Sequence, residues 1–189
     1  MRERIQSIFQ ESIKVKEAAL QKNLSSLEES IRAVSQCLKK GNKLFFFGNG
    51  GSAADSQHIA AEFIGRFQKE RRSLPAIALT TDTSILTALG NDYGFDVIFA
   101  RQLAGLGQKG DVAFAISTSG NSPNVIEGAK QARKMGIKVI GLSGGTGGKL
   151  APYCDINLIV PSNVTARIQE SHICMAHTIC ELVESEFEK

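Results

Sequence analysis

The sequence predicts an α/β fold, a three-layer αβα sandwich around a five-stranded parallel sheet, preceded by an N-terminal helical hairpin. Three observations predict it. Five short stretches, Leu44–Phe47, Pro75–Leu79, Val112–Ile116, Ile137–Leu142 and Asp155–Val160, are too continuously apolar for strands with one wet face and suit strands covered on both. Helical stretches separate them, which is the pattern of right-handed β-α-β crossovers. Turns rich in glycine and hydroxyl residues follow the strands, on the edge where parallel sheets bind ligands.

Taken in order, residues 2 to 40 carry two amphipathic patterns. Ile5, Phe9 and Ile13 recur every four residues, and Leu27, Ile31, Val34 and Leu38 at three and four. Glycine is absent before Gly41, so the break between two helices near Asn23–Ser25 rests on polar residues alone. Either the sheet or another subunit must bury the stripe of this hairpin. Gly48-Asn-Gly-Gly51 then turns the chain out of the first strand, with Ser52 placed as a helix N-cap. Helices are expected over Ser84–Leu89, over Asp96–Leu106 and up to Met135. Pro161 stops the fifth strand, and a long helix from Thr165 to Glu184 closes the chain. At 189 residues, 42% hydrophobic and 22% charged, the chain is most simply one domain over 1–189, with the hairpin over 1–40 and the α/β core over 41–189.

A net charge of +3 is too small to argue for nucleic acid or a membrane surface, and neither is expected as a partner. The densest basic run, Arg66 to Arg72, reads as a solvated helix end. No apolar signal region follows the charged start, and no apolar run nears the roughly 20 residues of a membrane span, so a cytoplasmic location is expected. The four cysteines form no CxxC and read as reduced buried thiols.

Two loops carry chemistry. Gly48-x-Gly50-x-x-Ala53 fits a loose dinucleotide pattern, but no acidic residue stands in strand context roughly 20 residues on: Asp82 comes too late, and Glu62 and Glu70 lie in helical context. Ser117-Thr118-Ser119-Gly120-Asn121-Ser122 follows a strand and opens a helix. Its hydroxyls and backbone N–H groups suit a monophosphate held without lysine or metal. A plain helix cap needs one such residue, whereas five of these six are Ser, Thr or Asn. Further along, His58 and Glu62 stand four apart on one helix face, and Gln169 and His177 lie on the last helix. Imidazole, carboxylate and amide oxygen suit Zn²⁺ or a similar divalent ion. A lone helical histidine is more often structural, and spacing alone leaves the two readings level.

Together Gly48-Asn-Gly-Gly-Ser52, Gln57-His58, Asn91-Asp92, Ile116-Ser-Thr-Ser-Gly-Asn-Ser122 and Ala166-Arg-Ile-Gln-Glu170 resemble the phosphoheptose isomerases of the sugar-isomerase (SIS) domain superfamily, over nearly the whole chain. The resemblance implies the SIS fold, a homotetramer and a sugar-phosphate substrate. It implies an isomerase that turns D-sedoheptulose 7-phosphate into D-glycero-D-manno-heptose 7-phosphate, the first step toward ADP- or GDP-heptose for lipopolysaccharide or surface polysaccharide. It also implies one Zn²⁺ per subunit, with His58, Glu62, Gln169 and His177 as ligands. Substrate contacts would come from Asn49, Gly50, Gly51, Ser52, Glu62, Asn91, Asp92, Ser117, Thr118, Ser119, Ser122 and Gln169, with Ser117–Ser122 on the phosphate. Glu62 and His177 would be the catalytic pair: a base takes a proton from C1 of the ketose, an enediol forms, and the proton returns at C2. A metal-bound carboxylate is a poorer base, so these roles compete; Glu62 is assigned as principal base and His177 as its partner.

On that ligand set a further expectation rests. Gln169 and His177 are eight residues apart, roughly 12 Å along a helix, though on one side of it. One ion barely reaches both, so the active site is expected to be shared between subunits, this helix serving different sites at its two ends. His172 is offset from both and reads as structural, and Cys174 and Cys180 read as packing residues. Ala166 departs from relatives that carry an acid there. Two rival readings remain: a tetrameric SIS protein that tethers the replication initiator, whose start resembles MRERIQ…FQESI, and another sugar-phosphate SIS enzyme. The tethering protein lacks the acid and imidazole at the positions of Glu62 and His177, both of which this chain keeps. The pairs His58–Glu62 and Gln169–His177 speak against the other enzyme.

Overall fold

Residues 2–39 form one helix. In the computed structural model, which describes residues 1–188, α1 (Arg2–Lys39) runs unbroken for 38 residues. This corrects the expected hairpin over 1–40. Asn and Ser each weaken a helix by only fractions of a kcal/mol, and no Gly or Pro stands here to do more. Asn23, read as part of the break, is instead a buried anchor. Its Nδ2 donates to the carbonyls of Ala19 (2.7 Å) and Ile159 (3.0 Å), and its Oδ1 accepts from Ile159 N–H (2.8 Å). Ile159 belongs to an edge strand, so one side-chain amide satisfies backbone groups that would otherwise be open for pairing.

The sheet is parallel throughout, in the order β2-β1-β3-β4-β5. Its strands are β1 (Leu44–Gly48), β2 (Ala76–Ala78), β3 (Val112–Ser117), β4 (Lys138–Gly144) and β5 (Ile156–Val160). All five expected strands are present, β2 shortened. Between them lie α2 (Gly51–Ile64), α3 (Thr83–Tyr93), α4 (Ile98–Leu106), α5 (Pro123–Lys134) and α6 (Thr165–Glu184). A 3₁₀ turn over Phe95–Val97 begins what was expected as one helix from Asp96.

Period-2 alternation sends the core of β1 both ways. Phe46 stacks on Phe114 at 4.7 Å between ring centroids, in the cluster built with α1, α2 and α6. Phe45 and Phe47 face the other cluster, where Phe47 meets Phe99 of α4 at 5.3 Å and α5 packs alongside. Sheet and two helical layers make the expected sandwich. The second half of α1 delivers Leu27, Val34 and Leu38 to the core, but Ile5, Phe9, Ile13, Leu20 and Leu24 remain exposed. The sheet thus buries half of the apolar stripe and leaves the rest to water.

Two smaller expectations are corrected. Helix α2 ends at Ile64, so the basic run after it is a loop, and Arg71 within it is buried against Glu184. Cys37 and Cys180 are buried as expected, but Cys174 is exposed on α6. Burial pushes the thiols of Cys37, Cys154 and Cys180 up to about 12, which leaves them inert. No described helix is long and apolar enough to cross a membrane.

Candidate active site

In a sheet ordered 2-1-3-4-5 the crossovers leave β1 and β3 in opposite directions, and a crevice opens between their carboxyl ends. The two chemistry-bearing loops are the ones that emerge there, GNGG from β1 and STSGNS from β3. Asn49 of the first loop and Asn124 of α5 exchange reciprocal amide bonds across the crevice, at 2.8 and 2.9 Å. Asn124 was not singled out from the sequence. Its place in the first turn after Ser122 was the available signal.

Neither helix beside the crevice is capped by a side chain. The N-cap of α2 is Gly50, at φ 55°, and not Ser52. Only glycine adopts that conformation cheaply, so the turn closes two residues earlier than the serine would have it. Ser52 lies inside the helix, buried, its Cβ against Gly48. At α5, Ser122 holds the N-cap position, but its hydroxyl is bonded to Ser117 Oγ (3.0 Å) and caps nothing. Backbone N–H groups at the start of α5 therefore keep no side-chain partner, the arrangement that favours an anion. Ser119 is exposed, its Oγ accepting from Asn121 N–H (3.1 Å), and Thr118 and Ser119 line a polar cavity of about 330 Å³ toward β4 and β5. The loop after β4 braces this one: a Cβ on Gly120 would strike the carbonyl of Gly147, and Lys149 N–H donates to Asn121 Oδ1.

At the far side, α2 and α6 bring two imidazoles together edge to face. His58 Nε2 and His177 Nε2 are 2.9 Å apart, so one ring donates and the other accepts. Glu62 Oε1 lies 3.5 Å from His58 Nε2. Burial first, then the neighbouring His58, hold the His177 imidazole below the usual histidine range, with Glu62 pulling the other way. Asp55, one turn before His58, carries a buried Oδ2 with no partner, and burial raises its pKa while His58 lowers it. Sequence reasoning passed over Asp55, although its spacing of three from His58 marks the same helix face.

The other expected site residues divide. Gln169 sits at the start of α2, where a Cβ on Gly51 would collide with its amide. That places it about 10 Å along α2 from His58, at 1.5 Å per residue, and outside the histidine pair. Asn91 and Asp92 are exposed on α3, bonded to each other (2.8 Å) and to no other described side chain. His172 is buried in α6, its Nε2 donating to the Ser143 carbonyl (3.1 Å), and burial takes its pKa down to about 4.

In kind, the donors suit a divalent ion: His58 and His177 offer imidazole nitrogens 2.9 Å apart, Glu62 offers a carboxylate oxygen 3.5 Å from His58, and a tetrahedral zinc with Zn–N of about 2.0–2.1 Å separates two nitrogens by roughly 3.3 Å. In number they fall short. No three or more His, Cys, Asp and Glu side chains among the described residues gather as a metal site does.

Residues 8–144 match the family model of the SIS domain. The phosphoheptose isomerase of Aquifex aeolicus is 56% identical over 184 residues, covering 97% of this chain and 96% of its own. That of Campylobacter concisus is 59% identical over 164 residues, 87% of each. Among solved structures, the phosphoheptose isomerase GmhA from Neisseria gonorrhoeae superposes with a TM-score of 0.92 at 47% identity, covering 97% of this chain and 98% of that one.

Proposed function

This chain belongs to the SIS domain family, among its phosphoheptose isomerases, and on that premise we propose that it converts D-sedoheptulose 7-phosphate to D-glycero-D-manno-heptose 7-phosphate. The observation that carries the reading is the meeting of His58, Glu62 and His177 across two helices, beside a switch-point crevice with uncapped helix ends.

The phosphate sits on the loop Ser117, Thr118, Ser119 and Ser122, whose hydroxyls and N–H groups donate to it. The turn Asn49-Gly50-Gly51-Ser52 lies along the sugar chain, and Asn91 and Asp92 approach from α3. Glu62 removes the proton from C1 of the ketose. His177 carries a proton between the two enediol oxygens, and Glu62 returns its proton at C2, so the carboxylate ends as it began. An imidazole kept neutral by burial can accept and donate in the same turnover, which suits that shuttle. Glu62 Oε1 is the oxygen turned to His58, and Oε2 is assigned to the proton.

His58, Glu62 and His177, with Gln169 of a second subunit, would hold one divalent ion per subunit, Zn²⁺ by donor type, which would polarise the carbonyl. Gln169 is remote from the histidines of its own chain, and the exposed stripe on α1 needs a partner; both favour a homotetramer with shared sites. The enzyme would work in the cytoplasm, opening the route to nucleotide-activated heptose for lipopolysaccharide or surface polysaccharide. A coupled assay tests this. Purified protein is given sedoheptulose 7-phosphate, the aldose product is followed, and the run is repeated after chelation. Turnover lost with chelator and restored by Zn²⁺ is expected. No turnover by metal-loaded protein overturns the substrate assignment in favour of the tethering reading or another sugar phosphate.

A further inference from the structure

A catalytic imidazole ordinarily owes its orientation to a hydrogen bond on its second nitrogen, from a carboxylate or a carbonyl. His177 has none: among the described residues its hydrogen bonding is limited to the Nε2 contact with His58. What it has is a ring. Phe67 lies against the His177 imidazole with 5.3 Å between centroids and 33° between planes, while His58 meets it edge-on at 5.1 Å and 68°.

Phe67 stands on the loop after α2, where the backbone has no ladder or helix to fix it. Two buried charges fix it instead. Glu184, the last residue of α6, accepts from the N–H groups of Phe67 (2.8 Å), Gln68 (2.7 Å) and Lys69 (2.9 Å). The Arg71 guanidinium pairs with Glu184, Nε to Oε1 at 3.1 Å, both side chains at most 2% exposed. It also donates to the carbonyls of Glu62 (2.7 Å), Phe63 (2.9 Å) and Gly65 (3.0 Å), closing the free C-terminus of α2. One carboxylate receiving three amides and an ion pair is a strong clamp, because each bond is charge-assisted and removal of either partner strands a buried charge. The clamp joins the end of the helix that carries Glu62 to the end of the helix that carries His177, with Phe67 between.

We infer that Phe67 is a positioning residue for the isomerisation: clamped by Glu184 and Arg71, its ring holds the His177 imidazole in the plane that turns Nε2 toward His58, at the end of the crevice assigned to proton transfer. The inference rests on the assignment of His177 to the chemistry. An aromatic face supplies the orientation by packing, and offset ring pairs hold their geometry more tightly than an aliphatic side chain would.

The test compares Phe67→Leu, Phe67→Ala and Phe67→Tyr. Loss of an orienting neighbour costs about 10–100-fold, and it belongs in kcat because the misaligned group acts in the transition state. Phe67→Leu keeps apolar bulk without a ring, and is expected to lose kcat by that factor with KM within about threefold. Phe67→Tyr keeps the ring and is expected to recover it. The chain has only three histidines, so their ring resonances can be followed by NMR in the same samples. Phe67→Leu should move the His177 signal most, through loss of the aromatic ring current, and leave that of the remote, buried His172 in place. That readout needs no turnover, so it separates failure of this inference from failure of the substrate assignment. A Phe67→Leu enzyme with kcat within about twofold of the parent, or a Phe67→Tyr enzyme as impaired as Phe67→Leu, overturns the inference. So does an unmoved His177 resonance. If Phe67→Ala does not fold, the leucine and tyrosine variants decide alone.

Discussion

At the hydroxyl loop the polar side chains are already engaged with one another: Ser117 with Ser122, Asn49 with Asn124, Asn121 with Ser119 and with the backbone of Lys149. At the histidine end the contacts are few. His58 and His177 share one hydrogen bond, Glu62 stands 3.5 Å away, and Gln169 is elsewhere. The contrast teaches how one crevice divides its work. In the proposed reaction the phosphate keeps its charge, so a preformed neutral cradle would serve it throughout, with many weak donors sharing the load. Protons must move at the other end, and groups that change charge cannot be tied into a rigid network without losing that freedom. The histidine end is therefore open, and in the proposed enzyme it would be completed from outside by an ion and by a second subunit.

The largest expected effect comes from breaking the sparse end. Glu62→Gln removes the proton carrier and keeps the shape, so kcat should fall about 10³-fold or more, with the circular dichroism spectrum and oligomer size unchanged. Activity within tenfold of the parent would take the base role from Glu62. Next is His172, the one histidine in neither part. Its folded pKa of about 4 lies below the unfolded value of about 6.5, so the unfolded chain binds a proton first as pH falls. Stability should drop between about pH 6.5 and 4, by on the order of 3 kcal/mol, and should not recover below. Denaturant midpoints across that window, compared with His172→Gln, measure it; identical slopes in the two proteins would show that other groups carry the acid loss.

The dense end should yield more gently. Ser119→Ala deletes an exposed donor of the proposed phosphate loop and should raise KM about tenfold with kcat little changed, since a hydrogen bond to a charged group is worth about 1.5–3 kcal/mol. A fall confined to kcat would erase the distinction between the two ends. Smallest of all, Cys174→Ser alters an exposed side chain outside both, and a melting experiment should find stability within about 0.5 kcal/mol of the parent.

The same contrast shows where reading the sequence succeeds. Leu44–Phe47 and Val112–Ile116 were legible as strands because a buried parallel strand writes its environment into consecutive residues. The loops GNGGS and STSGNS were legible as turns at the sheet's carboxyl edge because glycine and hydroxyl residues cluster directly after an apolar strand. Helix α6 was expected over the residues it occupies, with a proline before it and polar residues at its end. In each case the cause lies within a few residues of its effect.

Where the cause lies far off, reading failed. Asn23 looked like a helix break because its partner, Ile159, is 136 residues away. Arg71 looked solvated because Glu184, which neutralises it, closes the last helix. Ser52 looked like a cap because a rule of composition cannot see that Gly50 takes the left-handed turn first. By itself the sequence determined the strands, the last helix, the loops at the sheet's carboxyl edge and the family. Only the tertiary structure decided that His58 faces His177, that Gln169 stands apart from them and that Phe67 is clamped between. Contacts of that kind depend on relative positions of whole elements, which local propensity and spacing do not encode.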